Sequence, residues 1–227
     1  MTDNLLEEGL VKLGLGETAA CAAVLGRYIK EIELFNSAYG LVKVRDRREL
    51  IVKHILDSLA PLSIIRSLNQ KPPRIADVGS GAGLPGIPLA ASMPGADFTL
   101  IERMGRRVGF LRNTLAVLGL ANVRVEEAEM EKINPPACFD IVVFRAFRPL
   151  EPAIFRGLSR LLADGGVLAA YKGRREAAEE EMNALTAALL KAQKKGAAPS
   201  IKNWETLPLE VPFLEDPRHL LLIRICP

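Results

Sequence analysis

A glycine-rich segment in the first half of the chain has the residue types of a nucleotide-binding turn. It runs Asp77-Val78-Gly79-Ser80-Gly81-Ala82-Gly83-Leu84-Pro85-Gly86. Gly79, Gly81 and Gly83 lack a Cβ atom, so they permit a tight turn, positive φ angles and close approach of the backbone to a ligand. Glu102 stands 25 residues after Asp77, where a carboxylate can accept hydrogen bonds from both hydroxyls of a ribose. We therefore expect a ligand that contains a nucleoside.

The spacing of the glycines and the acid before them distinguish between three interpretations. Glycines are common in turns that bind nothing. Nicotinamide and flavin dinucleotide motifs space their glycines as one, three and six, whereas these stand at one, three and five. The carboxylate of Asp77 would repel a pyrophosphate but attract the ammonium and sulfonium groups of S-adenosyl-L-methionine. The segment favours S-adenosyl-L-methionine, with a dinucleotide and a structural turn as the alternatives.

Alternating strand and helix patterns surround this turn. Strands are predicted at Ile75 to Val78, Phe98 to Glu102, Val123 to Glu126, Phe139 to Phe144 and Val167 to Tyr171, and helices at Leu84 to Ser92, Arg106 to Leu118, Glu151 to Leu162 and Arg174 to Lys195. Trp204 to Val211 and Leu220 to Ile225 are predicted as a hairpin antiparallel to the rest. The order indicates an α/β fold with a doubly wound, mostly parallel, seven-stranded sheet that binds ligands where its strands end.

The residues before this sheet are predicted to form a helical extension. Apolar residues recur every three or four positions from Thr18 to Phe35, as on an amphipathic helix. Asp46 is predicted to cap a second helix, with Glu49 returning to the cap's own amide. Pro61 should kink or end that helix. The breaker cluster that begins at Lys71 predicts an extension over residues 1–71 and a main domain over 72–227.

Composition limits the class of protein without naming a function. The 227 residues are 49% hydrophobic and 25% charged, as in ordinary folded domains. Three scattered cysteines predict buried thiols rather than a disulfide framework, and we expect no metal site. The apolar runs are too short to span a membrane and no export signal is apparent, so a cytoplasmic protein is expected. The net charge of +3 permits an anionic partner without requiring one.

Beyond these patterns, the sequence resembles class I methyltransferases. More closely it resembles the glucose-inhibited division protein B family, the small-subunit ribosomal RNA guanine-N7 methyltransferases. The blocks that carry the resemblance are HILDSL from His54, DVGSGAGLPGIPLA from Asp77, GRRVGFLR from Gly105, FDIVVFRAF from Phe139, YKG from Tyr171 and RHLLLIR from Arg218. They span most of the chain, and their order makes the resemblance specific.

The resemblance implies a cofactor site and an activity. By position, the family's contacts to S-adenosyl-L-methionine fall on Gly79, Leu84, Glu102, Met130, Glu131 and Arg145, to which the glycine turn adds Asp77, Gly81 and Gly83. The family usually has Asp or a small polar residue where this chain has Glu102, and a common asparagine-leucine-threonine stretch is replaced by Gly40-Leu41-Val42. The implied substrate is 16S ribosomal RNA within the small ribosomal subunit, methylated at N7 of a guanine by a protein expected to be a monomer.

The residues after the strands suit such chemistry. Guanine N7 carries a lone pair, so catalysis should consist mainly of positioning and needs no general base. The loop that follows Phe144 has neither the cysteine of cytosine-C5 enzymes nor the Asp/Asn-Pro-Pro-aromatic run of amino-group enzymes. Arg145 is expected to orient the methionine carboxylate or guanine O6, Phe147 to stack on a base and Lys172 to meet the base or a phosphate. Surface pairing, core packing and solvation are the respective alternatives.

Basic residues predict where RNA binds. Arg103, Arg106, Arg107 and Lys172 are expected to contact it, and further basic residues stand at Lys43, Arg45, Arg47, Arg48, Lys53 and Arg112. Solvated helix faces are the alternative. His54 is expected to be a packed residue more than a catalyst.

Two other functions fit the same fold. One is a methyltransferase that acts on a small molecule or protein, and the other is a sensor that binds S-adenosyl-L-methionine without turnover.

Overall fold

The computed structural model describes residues 2–15, 19–69, 71–134, 136, 138–193 and 199–226. Within them, seven strands form one sheet in the order β3-β2-β1-β4-β5-β7-β6. The strands are β1 (Arg74–Val78), β2 (Asp97–Glu102), β3 (Val123–Glu127), β4 (Phe139–Arg145), β5 (Leu162–Lys172), β6 (Ile201–Leu209) and β7 (Arg218–Ile225). Strands β1 to β5 pair in parallel, and β7 is antiparallel to both neighbours. The mostly parallel seven-stranded sheet predicted from the sequence is confirmed.

Helices cover both faces of this sheet. They are α1 (Thr2–Lys12), α2 (Ala19–Tyr39), α3 (Arg47–Leu50), a π-helical turn (Ile51–Leu56), α4 (Asp57–Leu59), α5 (Leu62–Ser67), α6 (Gly86–Ser92), α7 (Gly105–Leu118), a 3-10 turn (Met130–Lys132), α8 (Pro152–Ser159) and α9 (Arg175–Gln193). Thr18 and Lys195, which bounded two predicted helices, lie outside the described residues.

The alternation of side chains along the strands explains the two covered faces. In β4, Ile141 and Val143 join the core beneath α2 and α6, whereas Val142 and Phe144 join the core beneath α8 and α9. Successive side chains of a strand point to opposite faces, so a strand covered on both faces is apolar at nearly every position. The doubly wound class predicted from the sequence follows from this packing.

Two predictions near the end of the sheet were wrong. β6 pairs antiparallel with β7 and therefore runs in the direction of β5, so only β7 opposes the rest. β5 begins already at Leu162, and its pairing to β4 shifts register before Val167. The strand was predicted to begin only at Val167, and Gly165, with φ 76°, lies inside the irregular stretch and makes a bulge in the strand.

The second helix of the extension contains a feature that the sequence pattern does not predict. Asp46 accepts a hydrogen bond from the amide of Glu49 at 2.8 Å, as predicted for the N-cap. Glu49 does not return to the amide of Asp46; its carboxylate accepts from the amide of Arg45 at 2.7 Å. After Leu50 the helix widens into the π-helical turn, and Pro61 separates α4 from α5. Wide turns of this kind are frequent at functional sites.

The extension packs into the same core as the sheet. Leu25 and Ile29 of α2 and Ile55 of the π-helical turn are fully buried, in one apolar cluster with Ile75 and Leu100 of the strands. The boundary proposed at residues 71 and 72 remains a prediction about chain organisation.

Three further features concern the cysteines, the possible metal ligands and the possible membrane spans. Cys21 is buried as predicted, Cys138 is half-buried, and Cys226 is exposed, which contradicts the prediction of a buried thiol there. Among the described residues, His, Cys, Asp and Glu side chains form no group of three that could hold a metal ion. No helix in the described ranges is long and apolar enough to cross a membrane.

The cap at Asp46 gives a test of how much this helix start contributes. We expect Asp46→Ala to lower the free energy of unfolding by about 1 kcal/mol, because the amide of Glu49 loses its acceptor. Asp46→Ser keeps an acceptor oxygen and should retain most of that stability. Urea denaturation followed by circular dichroism measures both. Equal midpoints for the alanine and serine variants would contradict the assigned cap.

Candidate active site

The glycine turn joins β1 to α6 and is held by the backbone of the neighbouring strand. The amides of Gly79 and Ser80 donate to the carbonyl of Ile101 at 2.9 and 3.2 Å. Gly79, Gly81 and Gly83 have φ angles of 73°, 59° and 94°. These values lie in the left-handed region, which residues with a side chain seldom adopt. The glycines are therefore required by the path of the chain.

Two of these glycines also permit close packing. A Cβ atom at Gly79 would lie 2.7 Å from the ring of Phe147, and one at Gly83 would lie 2.4 Å from Ile87. Gly79 lines a cavity, as expected of a ligand-binding glycine. Gly83 lines neither of the cavities described below, so its missing side chain serves the contact of the turn with α6 and α7.

Two adjacent cavities open where the strands end. The Arg145 cavity, of about 640 Å³, is bounded by the glycine turn, by Arg145 at the end of β4 and by the π-helical turn. The Glu102 cavity, of about 500 Å³, is bounded by Glu102 at the end of β2 and by Met130. Gly79, Arg107 and Ala146 line both cavities. The two cavities therefore adjoin at these residues.

Glu102 is a buried carboxylate on the wall of the Glu102 cavity. Its Oε2 accepts from the amide of Gly81 at 3.0 Å, and its Oε1 accepts from the amide of Met104 at 2.9 Å. The guanidinium of Arg107 lies 3.8 Å from Oε2. Each carboxylate oxygen has a further lone pair, so both can still accept hydrogen bonds from a ligand. The extra methylene relative to Asp lets the carboxylate reach the backbone of the turn.

Asp77 does not face either cavity, which corrects the role expected of it. The side chain is completely buried beneath the turn, and Oδ2 accepts from the amide of Gly86 at 2.9 Å. Oδ1 has no partner among the described residues. Burial raises the pKa of Asp77 to about 7, because removing a carboxylate from water disfavours its charged form. Asp77 shapes the start of α6 and does not line the ligand's cavity.

Arg145 lies at the carboxyl end of β4 and is held by the extension. Its Nη1 donates to Oδ2 of Asp57 at 2.8 Å and more weakly to the carbonyls of Lys53 and His54, at 3.4 and 3.5 Å. Asp57 is 4% exposed, so this is a buried ion pair. The other oxygen of Asp57 accepts from Nε of Arg218 at 3.0 Å. One carboxylate therefore bridges two guanidinium groups at the edge of the Arg145 cavity.

His54 completes this network as a neutral side chain. Its Nδ1 lies 3.3 Å from Nη2 of Arg145, which is only a donor, so Nδ1 accepts and the proton is on Nε2. Burial, and then the positive charge of Arg145, lower the pKa of His54 to about 4. His54 lines the Arg145 cavity. At neutral pH it offers that cavity an N–H donor and no free lone pair.

Comparison with known proteins identifies the family. A sequence model described as rRNA small subunit methyltransferase G matches residues 22–204. A protein of that name from Treponema denticola is 38% identical over 253 aligned residues, which cover 98% of this chain and 94% of that protein. A second, from Xanthomonas euvesicatoria pv. vesicatoria, is 40% identical over 222 residues and covers 96% and 93%. The chain belongs to the rRNA small subunit methyltransferase G family.

Solved structures share its fold at lower identity. A SAM-dependent methyltransferase from Aquifex aeolicus is 22% identical with a TM-score of 0.54, over 75% of this chain and 92% of that one. The M. jannaschii protein TYW2, solved in complex with AdoMet, is 16% identical with a TM-score of 0.51, over 74% and 75%. The predicted class I methyltransferase fold is confirmed.

In this member of the rRNA small subunit methyltransferase G family, the expected cofactor residues divide between the two cavities. Met130 and Glu131 line the Glu102 cavity with Glu102. Gly81, Leu84 and Arg145 line the Arg145 cavity. Gly79 lies at the junction. These positions are brought together by the glycine turn and the ends of β2 and β4.

Phe147 and Lys172, which were expected to act on the substrate, both contact other residues of the chain. Phe147 lines the Glu102 cavity and packs on Gly79 and Phe144, with the guanidinium of Arg148 5.1 Å from its ring centre. A base in the Arg145 cavity would therefore not stack on it. Lys172 does line the Arg145 cavity, and it forms a salt bridge with Glu181 of α9.

The basic stretch after β2 does not form one free surface. Arg103 is exposed at the Glu102 cavity, and Arg107 faces Glu102 between the two cavities. Arg106 donates to the carbonyl of Ala38 at 2.6 Å and lies over the ring of Tyr39. Arg106 lines neither cavity. Exposed ion pairs and stacked guanidiniums exchange partners at little cost, so these residues remain predicted RNA contacts.

The sequence patterns did not single out Asp57, Arg218 or Ala146 as site residues. A carboxylate within the apolar run that follows Ile51 is a signal for Asp57, because such residues are seldom buried without a partner. Arg218 begins one of the blocks of resemblance, and only the sheet order brings it to Asp57. Ala146 adopts φ 50° directly after β4. A backbone conformation of that kind has no local sequence signal when the residue is alanine.

The raised pKa of Asp77 predicts how stability depends on pH. The folded protein holds a proton on Asp77 up to about pH 7, whereas the unfolded chain releases it near pH 3.8. Stability contributed by the neutral acid is present below that lower value and is lost as the pH rises through about 7. Relative to Asp77→Asn, which cannot ionise, the wild type should lose up to a few kcal/mol between pH 4 and 8.

Urea unfolding of both proteins at several pH values measures this difference. The titration of His54 is common to both proteins and cancels in the comparison. Asp97→Asn, an exposed position at the start of β2, should keep the wild-type slope. A wild-type minus Asp77→Asn difference that is the same at every pH would show that the pKa of Asp77 does not change on folding.

Proposed function

We propose that this protein transfers the methyl group of S-adenosyl-L-methionine to N7 of a guanine in 16S ribosomal RNA. It does so as a cytoplasmic monomer that acts on the small ribosomal subunit. The observation that carries the proposal is a pair of adjoining cavities in a member of the small-subunit rRNA methyltransferase family. One cavity bears the acceptor carboxylate of Glu102. The other is lined by Asp57, whose carboxylate is engaged by two guanidiniums. The dependence on S-adenosyl-L-methionine comes with the family.

The Glu102 cavity suits the nucleoside part of S-adenosyl-L-methionine. Glu102 would accept from the ribose hydroxyls, because carboxylate oxygens are acceptors for paired hydroxyl donors. Met130 and Phe147 would provide apolar contact for the adenine. Gly79 has no side chain, which lets the ring of Phe147 pack directly against the glycine turn at the wall of this cavity. These residues fit the cofactor, which supplies a methyl group bonded to a positively charged sulfur.

The methionine part would pass the junction into the Arg145 cavity. Arg145 would attract its carboxylate, and the loss of hydration inside a cavity strengthens that attraction. Ala146 follows Arg145 in the chain and lines both cavities, so the strand end that carries Arg145 lies beside the passage. The target guanine would occupy the remainder of the Arg145 cavity, which Lys172 and His54 border.

The acids and bases around this cavity agree with attack by guanine N7. A nucleophile that already has a lone pair needs no proton removed before it reacts. Asp57 is engaged by two guanidiniums, and Nε2 of His54 carries a proton, so neither is poised to accept one. The chain would act by holding N7 in line with the methyl group and by excluding water, which are proximity and desolvation effects.

The proposal is tested on small ribosomal subunits from cells that lack the protein. The purified chain is incubated with these subunits and labelled S-adenosyl-L-methionine, and the 16S RNA is then cleaved by borohydride and aniline, which break the chain at N7-methylguanine. We expect label in the RNA and one new cleavage at a guanine. Label in protein or in a small molecule alone would overturn the substrate, and label in RNA without cleavage would overturn the N7 position.

Glu102 gives a separate test of how the cofactor is held. We expect Glu102→Gln to weaken S-adenosyl-L-methionine binding roughly tenfold to a hundredfold, since hydrogen bonds to a charged group contribute about 1.5–3 kcal/mol. Glu127→Gln is the matched control, because Glu127 pairs with Glu102 in the sheet register, is partly exposed, and lies outside both cavities. Calorimetric titration measures both variants. Equal affinities, or tight binding of a nicotinamide dinucleotide instead, would contradict this assignment.

A further inference from the structure

Arg218 reaches the Arg145 cavity because of the direction of β7. β7 is antiparallel to β5, and its first residues pair with the last of β5, as His219 does with Lys172. The start of β7 therefore lies at the same edge of the sheet as the ends of β4 and β5. The side chain of Arg218 is 24% exposed and lines the Arg145 cavity but not the Glu102 cavity.

Asp57 fixes the direction in which Arg218 points. Nε of Arg218 donates to Oδ1 of Asp57 at 3.0 Å, and Nη1 donates to the carbonyl of Pro217 at 2.9 Å. Nη2 donates to no residue in the part of the chain that the structure describes. A guanidinium held by two of its nitrogens loses little freedom when the third binds a ligand.

The charges around the cavity favour an anion at that third nitrogen. Asp57 neutralises one of the two arginines that it bridges, and His54 is uncharged, so the group keeps one net positive charge. Three other cations of the wall are engaged: Lys53 with Glu49, Lys172 with Glu181 and Arg107 with Glu102. Lys43 also lines the cavity, is exposed, and adds to its positive charge. A guanidinium binds phosphate and carboxylate oxygens alike with two parallel hydrogen bonds, and phosphate is the anion that an RNA strand would bring to this cavity.

We infer that Arg218, oriented by Asp57, is a binding site for a phosphodiester of the RNA strand that enters the Arg145 cavity. Naming RNA as the source of the phosphate rests on the proposed function. Arg145 is at the end of β4, next to β1 in the sheet, and would serve the cofactor. Arg218 begins β7, which lies two strands farther from β1 and from Glu102. Asp57 is a positioning residue, since its two oxygens are bound by Arg145 and Arg218 and it acts on the RNA through Arg218.

The first experiment measures binding of a 16S RNA transcript to the full chain at several salt concentrations. A lost phosphate contact lowers the slope of log Kd against log salt by about 0.7 to 0.9. We expect that change for Arg218→Met, with affinity reduced about tenfold at moderate salt. Arg74→Met is the matched control, because Arg74 is paired with Asp140 at the opposite edge of the sheet. It should keep the wild-type slope and affinity.

The second experiment asks whether Asp57 acts through Arg218. Asp57→Asn keeps the size of the side chain but removes the charge that holds the guanidinium. We expect Asp57→Asn to reduce the salt slope as Arg218→Met does. We expect the double variant to bind RNA with nearly the same affinity as whichever single variant binds less tightly. Asp140→Asn is the control for loss of a carboxylate from an Arg–Asp pair. Additive losses, or an unchanged slope in Asp57→Asn, would overturn the positioning role.

Binding of S-adenosyl-L-methionine distinguishes the two anions that Arg218 could hold, the RNA phosphate and the methionine carboxylate. If Arg218 binds RNA phosphate, Arg218→Met keeps wild-type affinity for S-adenosyl-L-methionine, which also shows that the variant is folded. Weaker cofactor binding with unchanged RNA binding would mean that Arg218 holds the methionine carboxylate, and would overturn the inference. If the wild type methylates RNA but Arg218→Met keeps the wild-type salt slope, only this inference is overturned. If Arg218→Met reduces the slope but the wild type transfers no methyl group to RNA, only the proposed function is overturned.

Discussion

One buried carboxylate sets the conditions that the rest of the site must meet. Asp57 accepts from Arg145 and Arg218, and these three residues come from α4, the end of β4 and the start of β7. Without the carboxylate, the two guanidiniums would face each other with like charge. Removing one partner of a buried ion pair typically costs about 3–5 kcal/mol. Sheet and extension must therefore be in register before this edge of the molecule is stable.

The helical extension completes the walls of the site as well as the core. The hydroxyl of Tyr28 in α2 donates to the carbonyl of Ala82 in the glycine turn at 2.7 Å. The hydroxyl of Tyr171 at the end of β5 donates to the carbonyl of Ser58 at 2.8 Å. Both rings are buried, and burial raises the pKa of each phenol, so each stays a donor. The extension thus positions a glycine turn that it does not contain.

The sequence predicts the features that depend on local spacing. Strand order along the chain, the glycine turn and Glu102 follow from periods and intervals of a few residues, and the structure has them. The contact between Asp57 and Arg218 spans 161 positions, and only the insertion of β7 beside β5 brings it about. The directions of the Asp77 and Phe147 side chains depend on how the turn packs, which a one-dimensional pattern does not contain. The prediction is therefore strongest for elements and weakest for the partners of charged groups.

Two of the residues at the junction of the two cavities are small. Gly79 and Ala146 face it, and both have left-handed backbone, with φ angles of 73° and 50°. At Ala146 this conformation costs about 1–3 kcal/mol relative to ordinary backbone, which the surrounding contacts of β4 must offset. A larger side chain at either position would add bulk in the passage, whereas glycine at position 146 would relieve the strain and loosen the strand end that carries Arg145. Alanine keeps the passage open and still holds the strand end that carries Arg145. The backbone strain at position 146 is therefore a consequence of joining two binding sites at one strand end.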